Sequence, residues 1–416
     1  MAGVQVLEFG FGYPPRLFSI TRGETEYSFT AVPLGGFVKL LGEEDPAHPR
    51  SLARQPAGVR AIILSSGALM NALLPVFIFS ITAAIPQPAI LGDVRVTAVA
   101  PGSPAEQAGV RPGDVIEEVN GQKVNRDSEL RYLIRLSLGS PVEFRVRREG
   151  QTQVMRDIMP RFNPPPGQGA IGIAIRTGDI QVETVAPGSP ASRESGLRAG
   201  DLVIQVNGRA VSTDRDPATY LAEHRRDSPG RPVEFLVERD GRLQTVAVPL
   251  PAGEAPLASE ALGVTLAPAR LQQTMVAKPV WEAVPYAVKR SLEMLVLVRN
   301  EISGWFVGIG VPQFAGPVGI AQITGEVASL GGLYALLELT ALLSISMAFF
   351  NILPIPMLDG GRLLFVVLEV VRRGKRISPQ REGMVHMVGF AVLLALIVVV
   401  SYFDVLRIVR GESLLR

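Results

Sequence analysis

The sequence predicts a polytopic α-helical membrane protein with a β-hairpin ahead of its first span and a duplicated α/β insert before its second. Three observations carry that reading: charge-free apolar runs, an internal repeat between them, and an alternating apolar–polar stretch ahead of the first run. Of 416 residues, 41 are Lys or Arg and 39 are Asp or Glu, a net charge of +2. So small a basic excess argues against nucleic acid as a partner. The chain has no Cys, which excludes disulfides, thiolate metal sites and a cysteine nucleophile. It has only 3 His.

Residues 1–12 lack a basic segment followed by an apolar core, so no signal peptide is read there. Residues 16–41 alternate apolar and polar side chains around a turn at Arg22-Gly23-Glu24, with a second turn at Pro33-Leu34-Gly35-Gly36. This pattern predicts a membrane-associated β-hairpin or small sheet within 1–58. Residues 61–92 carry no charge, which places a span over 59–88. Charge-free runs also separate Glu338 from Asp359 and Glu382 from Asp404, giving spans at 333–358 and 383–404. Each run reaches the roughly 20 residues that a bilayer core requires.

Residues 302–325 are also uncharged but hold six Gly and two Pro, among them Gly304, Gly316, Pro312 and Pro317. A spanning helix tolerates that composition poorly. It is read as irregular, re-entrant backbone, within a region 252–332 that opens on an amphipathic helix over 279–306. That helix would lie on the membrane or pack on the repeat. Lys39, Arg50, Arg54 and Arg60 precede the first span, and Arg372, Arg373, Lys375, Arg376 and Arg381 fill the loop 359–382. The positive-inside rule makes both segments cytoplasmic and puts the insert across the membrane.

The insert is a duplication. Val96-Thr-Ala-Val-Ala-Pro-Gly-Ser-Pro-Ala105 recurs as Val182-Glu-Thr-Val-Ala-Pro-Gly-Ser-Pro-Ala191. Gly113-Asp114, the Asn120-Gly121 turn and Pro141-Val-Glu-Phe144 recur as Gly200-Asp201, Asn207-Gly208 and Pro232-Val-Glu-Phe235. Each copy adds one helical segment, at 129–138 and 217–224. The copies, 93–161 and 171–251 with a Pro-rich linker at 163–168, resemble tandem bacterial PDZ domains. That resemblance implies binding of extended peptide C-termini by strand addition; spacers or size filters are the plain alternative.

The segment Asn351-Ile-Leu-Pro354-Ile-Pro356-Met-Leu-Asp359-Gly360-Gly361 closes the second span. An Asp there could be a metal ligand, an ion-pair partner or the first residue in water, and position alone favours the last. The run resembles the N-x-x-P-x-P-x-L-D-G-G of the site-2 intramembrane zinc metalloproteases, in the tandem-PDZ bacterial branch that cleaves anti-sigma factors. Residues 3–17, Pro33-Leu-Gly-Gly-Phe-Val-Lys-Leu40, Gly42-Glu43-Glu44, Gly67-Ala-Leu-Met-Asn71, Gly316-Pro-Val-Gly-Ile320 and Asp404 match in order. The resemblance implies Asp359 as the third Zn2+ ligand, and Asn351, Pro354 and Pro356 as residues that hold an unwound substrate. It implies single-pass membrane proteins as substrates, a multi-pass protein in the bacterial cytoplasmic membrane, and PDZ domains on the extracytoplasmic side.

The resemblance also requires H-E-x-x-H, two imidazoles and a general base on one helix face. This sequence has none; its histidines are His48, His224 and His386. No catalytic residue is therefore assigned within the chain. The simplest account places the motif and a fourth span upstream of residue 1, leaving the chain as written inactive with one of three zinc ligands. The alternative is a non-proteolytic membrane scaffold that binds peptides. A serine protease is excluded, because no G-x-S-x-G is present. His386 lies in the last predicted span, where a helix-packing role is favoured.

Overall fold

The computed structural model describes residues 3–43, 47–192, 196–211, 231–249, 262–306 and 315–413. The helix expected at 217–224, and His224 with it, lie outside the described residues. Two compact units emerge: Met1–Ala84 with Pro279–Leu295 and Gln313–Arg416, and Ile85–Lys278 with Val296–Pro312.

The first unit opens on two long antiparallel strands, β1 (Val6–Arg22) and β2 (Thr25–Leu40). Both bend back on themselves. Phe9 pairs with Val38 on one side and Tyr27 on the other, whereas Ile20 pairs with Tyr27 from the far side. Two strands thus make four rows rather than a plain hairpin. Phe9, Phe11, Phe18, Tyr27 and Phe29 are all exposed. Phe18 stacks on Phe29 at 4.9 Å, and Phe11 and Phe29 lie 5.6 Å apart. An exposed aromatic face of this kind suits contact with an apolar phase.

Helix α1 (Ala57–Ala84) follows. After the second unit's strands come α4 (Val280–Phe306), whose first part belongs to this unit, α5 (Pro317–Ile352), α6 (Asp359–Val371) and α7 (Pro379–Val409). Among the described residues, α1, α5 and α7 are long and apolar enough to cross a membrane. Their large side chains point outward: Ile62, Phe77, Leu333, Met387 and Val392 are more than half exposed. Ile78, Phe79, Ala287 and Ala341 form the buried contact of α1, α4 and α5. The Ser344 hydroxyl donates to the Asn71 carbonyl at 2.9 Å.

Two expectations are corrected here. The Gly- and Pro-rich stretch is helical from Pro317 onward; Pro317 occupies the first turn, where its missing N–H costs nothing. The break falls at Gly332 instead, in a left-handed conformation (φ 57°). The basic segment 359–382 is not all loop, because α6 fills residues 359–371.

The second unit holds two sheets with matching strand order. In the first, β4 (Val94–Val99), β5 (Val115–Val119), β7 (Val142–Arg148), β8 (Gln151–Ile158) and β9 (Ile173–Thr177) run β8-β7-β5-β4-β9, with β6 (Gln122–Lys123) on β5. In the second, β10 (Asp179–Val185), β11 (Leu202–Val206), β13 (Val233–Arg239), β14 (Arg242–Val248) and β15 (Val264–Ala269) run β14-β13-β11-β10-β15, with β12 (Arg209–Ala210) on β11. Helices α2 (Pro104–Gln107) and α3 (Asp127–Leu136) belong to the first copy. Each sheet covers a core of Val, Ile, Leu and Phe.

The copies join at Gly178, between β9 and β10, and the second sheet ends on β15 at Ala269. The boundaries expected at 161, 171 and 251 therefore shift: each copy's last strand pairs beside its first strand. Two further strands, β3 (Gln87–Gly92) and β16 (Leu271–Val276), enter and leave the unit as one antiparallel ribbon. The later part of α4 also belongs to this unit; the Asn300 side chain donates to the Arg135 and Leu136 carbonyls, satisfying the end of α3.

Candidate functional site

The site is built where α5 stops. Leu353 is extended, and its N–H donates to the Phe350 carbonyl at 3.1 Å. The two prolines forbid further helix, since neither can donate a backbone hydrogen bond. Ile355 N–H donates to the Leu353 carbonyl and Leu358 N–H to the Ile355 carbonyl. The chain then re-enters helix at Asp359, the first residue of α6. Pro354, Ile355 and Met357 are exposed; Asn351, in the last turn of α5, and Pro356 are half-buried.

Both glycines after Asp359 are sterically required. A methyl on Gly360 would lie 2.2 Å from the Leu353 carbonyl oxygen, and one on Gly361 2.3 Å from the Ile355 carbonyl oxygen. The start of α6 therefore packs directly on the broken backbone. Across from it, α1 presents Gly67, where a methyl would stand 3.4 Å from Asp359 Oδ2. The Asp359 carboxylate also sits in the first turn of α6, the favourable end of the helix dipole. Burial raises its pKa above the ordinary value; Arg362 opposes that rise and Glu43 adds to it.

Ion pairs hold α6 in place. Arg362 pairs with Glu43 at 2.5 Å. Glu369 pairs with Arg60 of α1 and with Arg376, whose guanidinium also donates to the Ala53 carbonyl. Burial works against the charge of Glu369, yet the two arginines outweigh it and hold its carboxyl below the usual range.

The structure thus brings Asp359, Pro354 and Pro356 into one turn, with Asn351 at its helical entrance. Two residues that sequence reasoning left without a role in the site also reach it: Gly389, against Pro356, and His386, which accepts the Met357 N–H. The only sequence signal for them was a polar ring in an apolar run. His48 accepts the Arg50 N–H at an exposed position. Among the described residues, no group of three His, Cys, Asp or Glu could hold a metal ion. Asp359 supplies one carboxylate, so these residues do not by themselves make a zinc site, which takes three protein ligands.

Asp404, in α7, is buried and accepts the Gly316 and Gly319 N–H groups at 2.8 and 2.9 Å. It caps α5 from another helix, accepting N–H groups at the helix start that have no intrahelical acceptor.

An apolar helix long enough to span a membrane stops at Ile352, and Asp359 opens the next helix, in a chain with a duplicated sheet insert; the comparisons give the class. The model of peptidase family M50 matches residues 1–396. The zinc metalloprotease RasP of Geobacillus kaustophilus is 29% identical over 434 residues, covering 97% of this chain and 91% of its own. A putative zinc metalloprotease of Neisseria meningitidis is 29% identical, covering 98% and 94%. One from Vibrio cholerae is 28% identical, covering 98% and 93%. Among solved structures, the PDZ domain of an SdrC-like protein from Listeria innocua matches 20% of this chain and 92% of its own at 25% identity, with a TM-score of 0.18, too low to assign a fold. The chain belongs to peptidase family M50, the site-2 protease family.

Proposed function

We propose that this chain forms the substrate-holding body of an intramembrane zinc endopeptidase. Its substrates are single-pass membrane proteins of the anti-sigma-factor type, cut within their transmembrane segments. The observation that carries this reading is Asp359, set against α1 directly after a span whose helix opens into extended backbone. The relatives named zinc metalloproteases support it. A peptide bond inside a helix is shielded by the helix's own hydrogen bonds, so a substrate must unwind before hydrolysis. The exposed turn at Pro354–Met357 offers backbone for an unwound segment, with Asn351 and the prolines shaping that contact. Asp359 serves as one of three Zn2+ ligands; the two imidazoles and the general base are not among this sequence's residues. These residues alone run no hydrolytic step: they bind and orient.

In this reading the protein sits in the bacterial cytoplasmic membrane with the insert on the extracytoplasmic side, an orientation supported by the positive-inside rule. The two copies act as PDZ domains that screen substrates. In each, the strand that would receive a peptide C-terminus is the last of its sheet, β9 or β15. A cavity of about 550 Å³ lies along β9 and α3, lined among others by Arg126, Arg131, Arg176 and Val211.

The second reading is a non-proteolytic membrane scaffold whose copies capture peptides; the missing H-E-x-x-H favours it. One experiment separates the two. With Asp359→Asn introduced at the native locus, membrane-embedded stubs of a single-pass substrate should accumulate as they do when the gene is deleted. Stubs cleared equally in wild type, mutant and deletion would leave the scaffold.

A further inference from the structure

We propose that α7 is a wall of the site and that His386 is its positioning residue, clamping both segments that flank Asp359. This rests on the proteolytic reading for its consequence, but not for its geometry. Before Asp359, the Met357 N–H donates to His386 Nδ1 at 2.9 Å. After it, Phe365 of α6 lies against the same imidazole, with ring centroids 5.6 Å apart and planes tilted by 55°. One side chain therefore touches the turn that leads into the carboxylate and the helix that leaves it.

Two further observations show that the contact is built. Met357 has φ 84°, a left-handed conformation that side chains rarely adopt. Such a backbone persists only where its surroundings over-determine it. One helical turn beyond His386, a methyl on Gly389 would lie 2.5 Å from Pro356 Cβ and 2.9 Å from its carbonyl oxygen. The α7 backbone thus approaches the turn as closely as glycine permits, and that approach brings the imidazole within reach of the Met357 amide. A histidine within so apolar a helix is costly unless it has a task. Here Nδ1 is the acceptor that keeps Met357 in its strained state, and so fixes how Asp359 leaves the turn.

The test uses the full chain in nanodiscs, followed by hydrogen exchange at Met357, and the native locus, followed by cleavage kinetics. His386→Leu keeps bulk and removes the acceptor; His386→Asn restores one. His386→Leu should speed exchange at Met357 at least tenfold and leave the amides of α5 unchanged, and His386→Asn should recover most of the protection. In cells, His386→Leu should lower kcat at least tenfold with KM little changed, and His386→Asn should rescue it. Unaltered exchange in His386→Leu, or equal exchange in both variants, would overturn the clamp. Faster exchange with unchanged kcat would overturn the link to Asp359. If Asp359→Asn itself leaves cleavage intact, the proteolytic reading falls, while the exchange data still decide the clamp.

Discussion

Gly360 and Gly361 show how one missing atom sets the site. Each lies within 2.3 Å of a backbone carbonyl oxygen once a methyl is added, and backbone cannot swing aside as a side-chain tip can. Gly360→Ala should therefore destabilise the turn by about 1–3 kcal/mol, the usual cost of overpacking. Gly67→Ala makes the control, because its methyl would meet the flexible Asp359 carboxylate at 3.4 Å. Thermal unfolding in nanodiscs should separate the two; equal loss would contradict the packing described. The run Leu358-Asp359-Gly360-Gly361 was legible in the sequence as a motif, and Asp359 with it. The reason for its glycines was not, since their neighbours are carbonyls that only the break at Pro354 and Pro356 brings back. The sequence favours a helix-packing role for His386 and gives Gly389 none, for a similar reason: both approach the turn from a helix nearly thirty residues away in sequence.

At the scale of the element, each repeat copy is closed by the same device. Asp114 is buried, accepts the Arg111 N–H and receives a two-pronged ion pair from Arg148 at 2.6 and 2.7 Å. Asp201 does the same with the Arg198 N–H and Arg239, at 2.7 and 2.6 Å. The Asn120 side chain accepts the Glu143 N–H from its left-handed turn, and Asn207 accepts that of Glu234. The repeated Gly-Asp and Asn-Gly pairs thus tie turns to strands β7 and β13. Asp114→Ala strands Arg148 beside a buried turn, a loss of about 3 kcal/mol by the rule for broken buried pairs. Asp201→Ala should cost the second copy as much. Limited proteolysis of the full chain should then cut the first copy in one mutant and the second in the other; protection in both would refute the role. The duplication is readable from its motifs, but the two arginines are not among them, although each is the last residue of β7 or β13, two residues before a turn Gly. The repeat Ala170-Ile-Gly172 and Ala261-Leu-Gly263 was passed over as well, and with it the true boundary of the copies.

Across the whole insert, the question is whether the copies are beads on a string or one body. Only Gly178 separates β9 from β10, which leaves no slack. Arg95 and Asp179, 1% and 0% exposed, pair at 2.5 Å, and Arg95 reaches Glu238 of the second copy at 2.5 Å. Arg176 donates to the Val203 and Val211 carbonyls, and Gln205 to that of Thr97. Alternation along β4 reads Arg95 as a solvent position; the second copy covers that face, and no single-strand pattern reveals it. Charges so enclosed are expensive, and their mutual attraction repays the cost only while both partners are present. Removing one should therefore hurt more than removing both. We expect Arg95→Leu and Asp179→Leu each to lower stability by about 3–5 kcal/mol, and the double mutant to recover much of it. Denaturant unfolding of the full chain, with probes in each copy, measures the cycle. In wild type the two copies should unfold in one transition, and in either single mutant in two. Additive losses with no recovery would mean that the pair lies at a junction the copies do not depend on, and that they move independently.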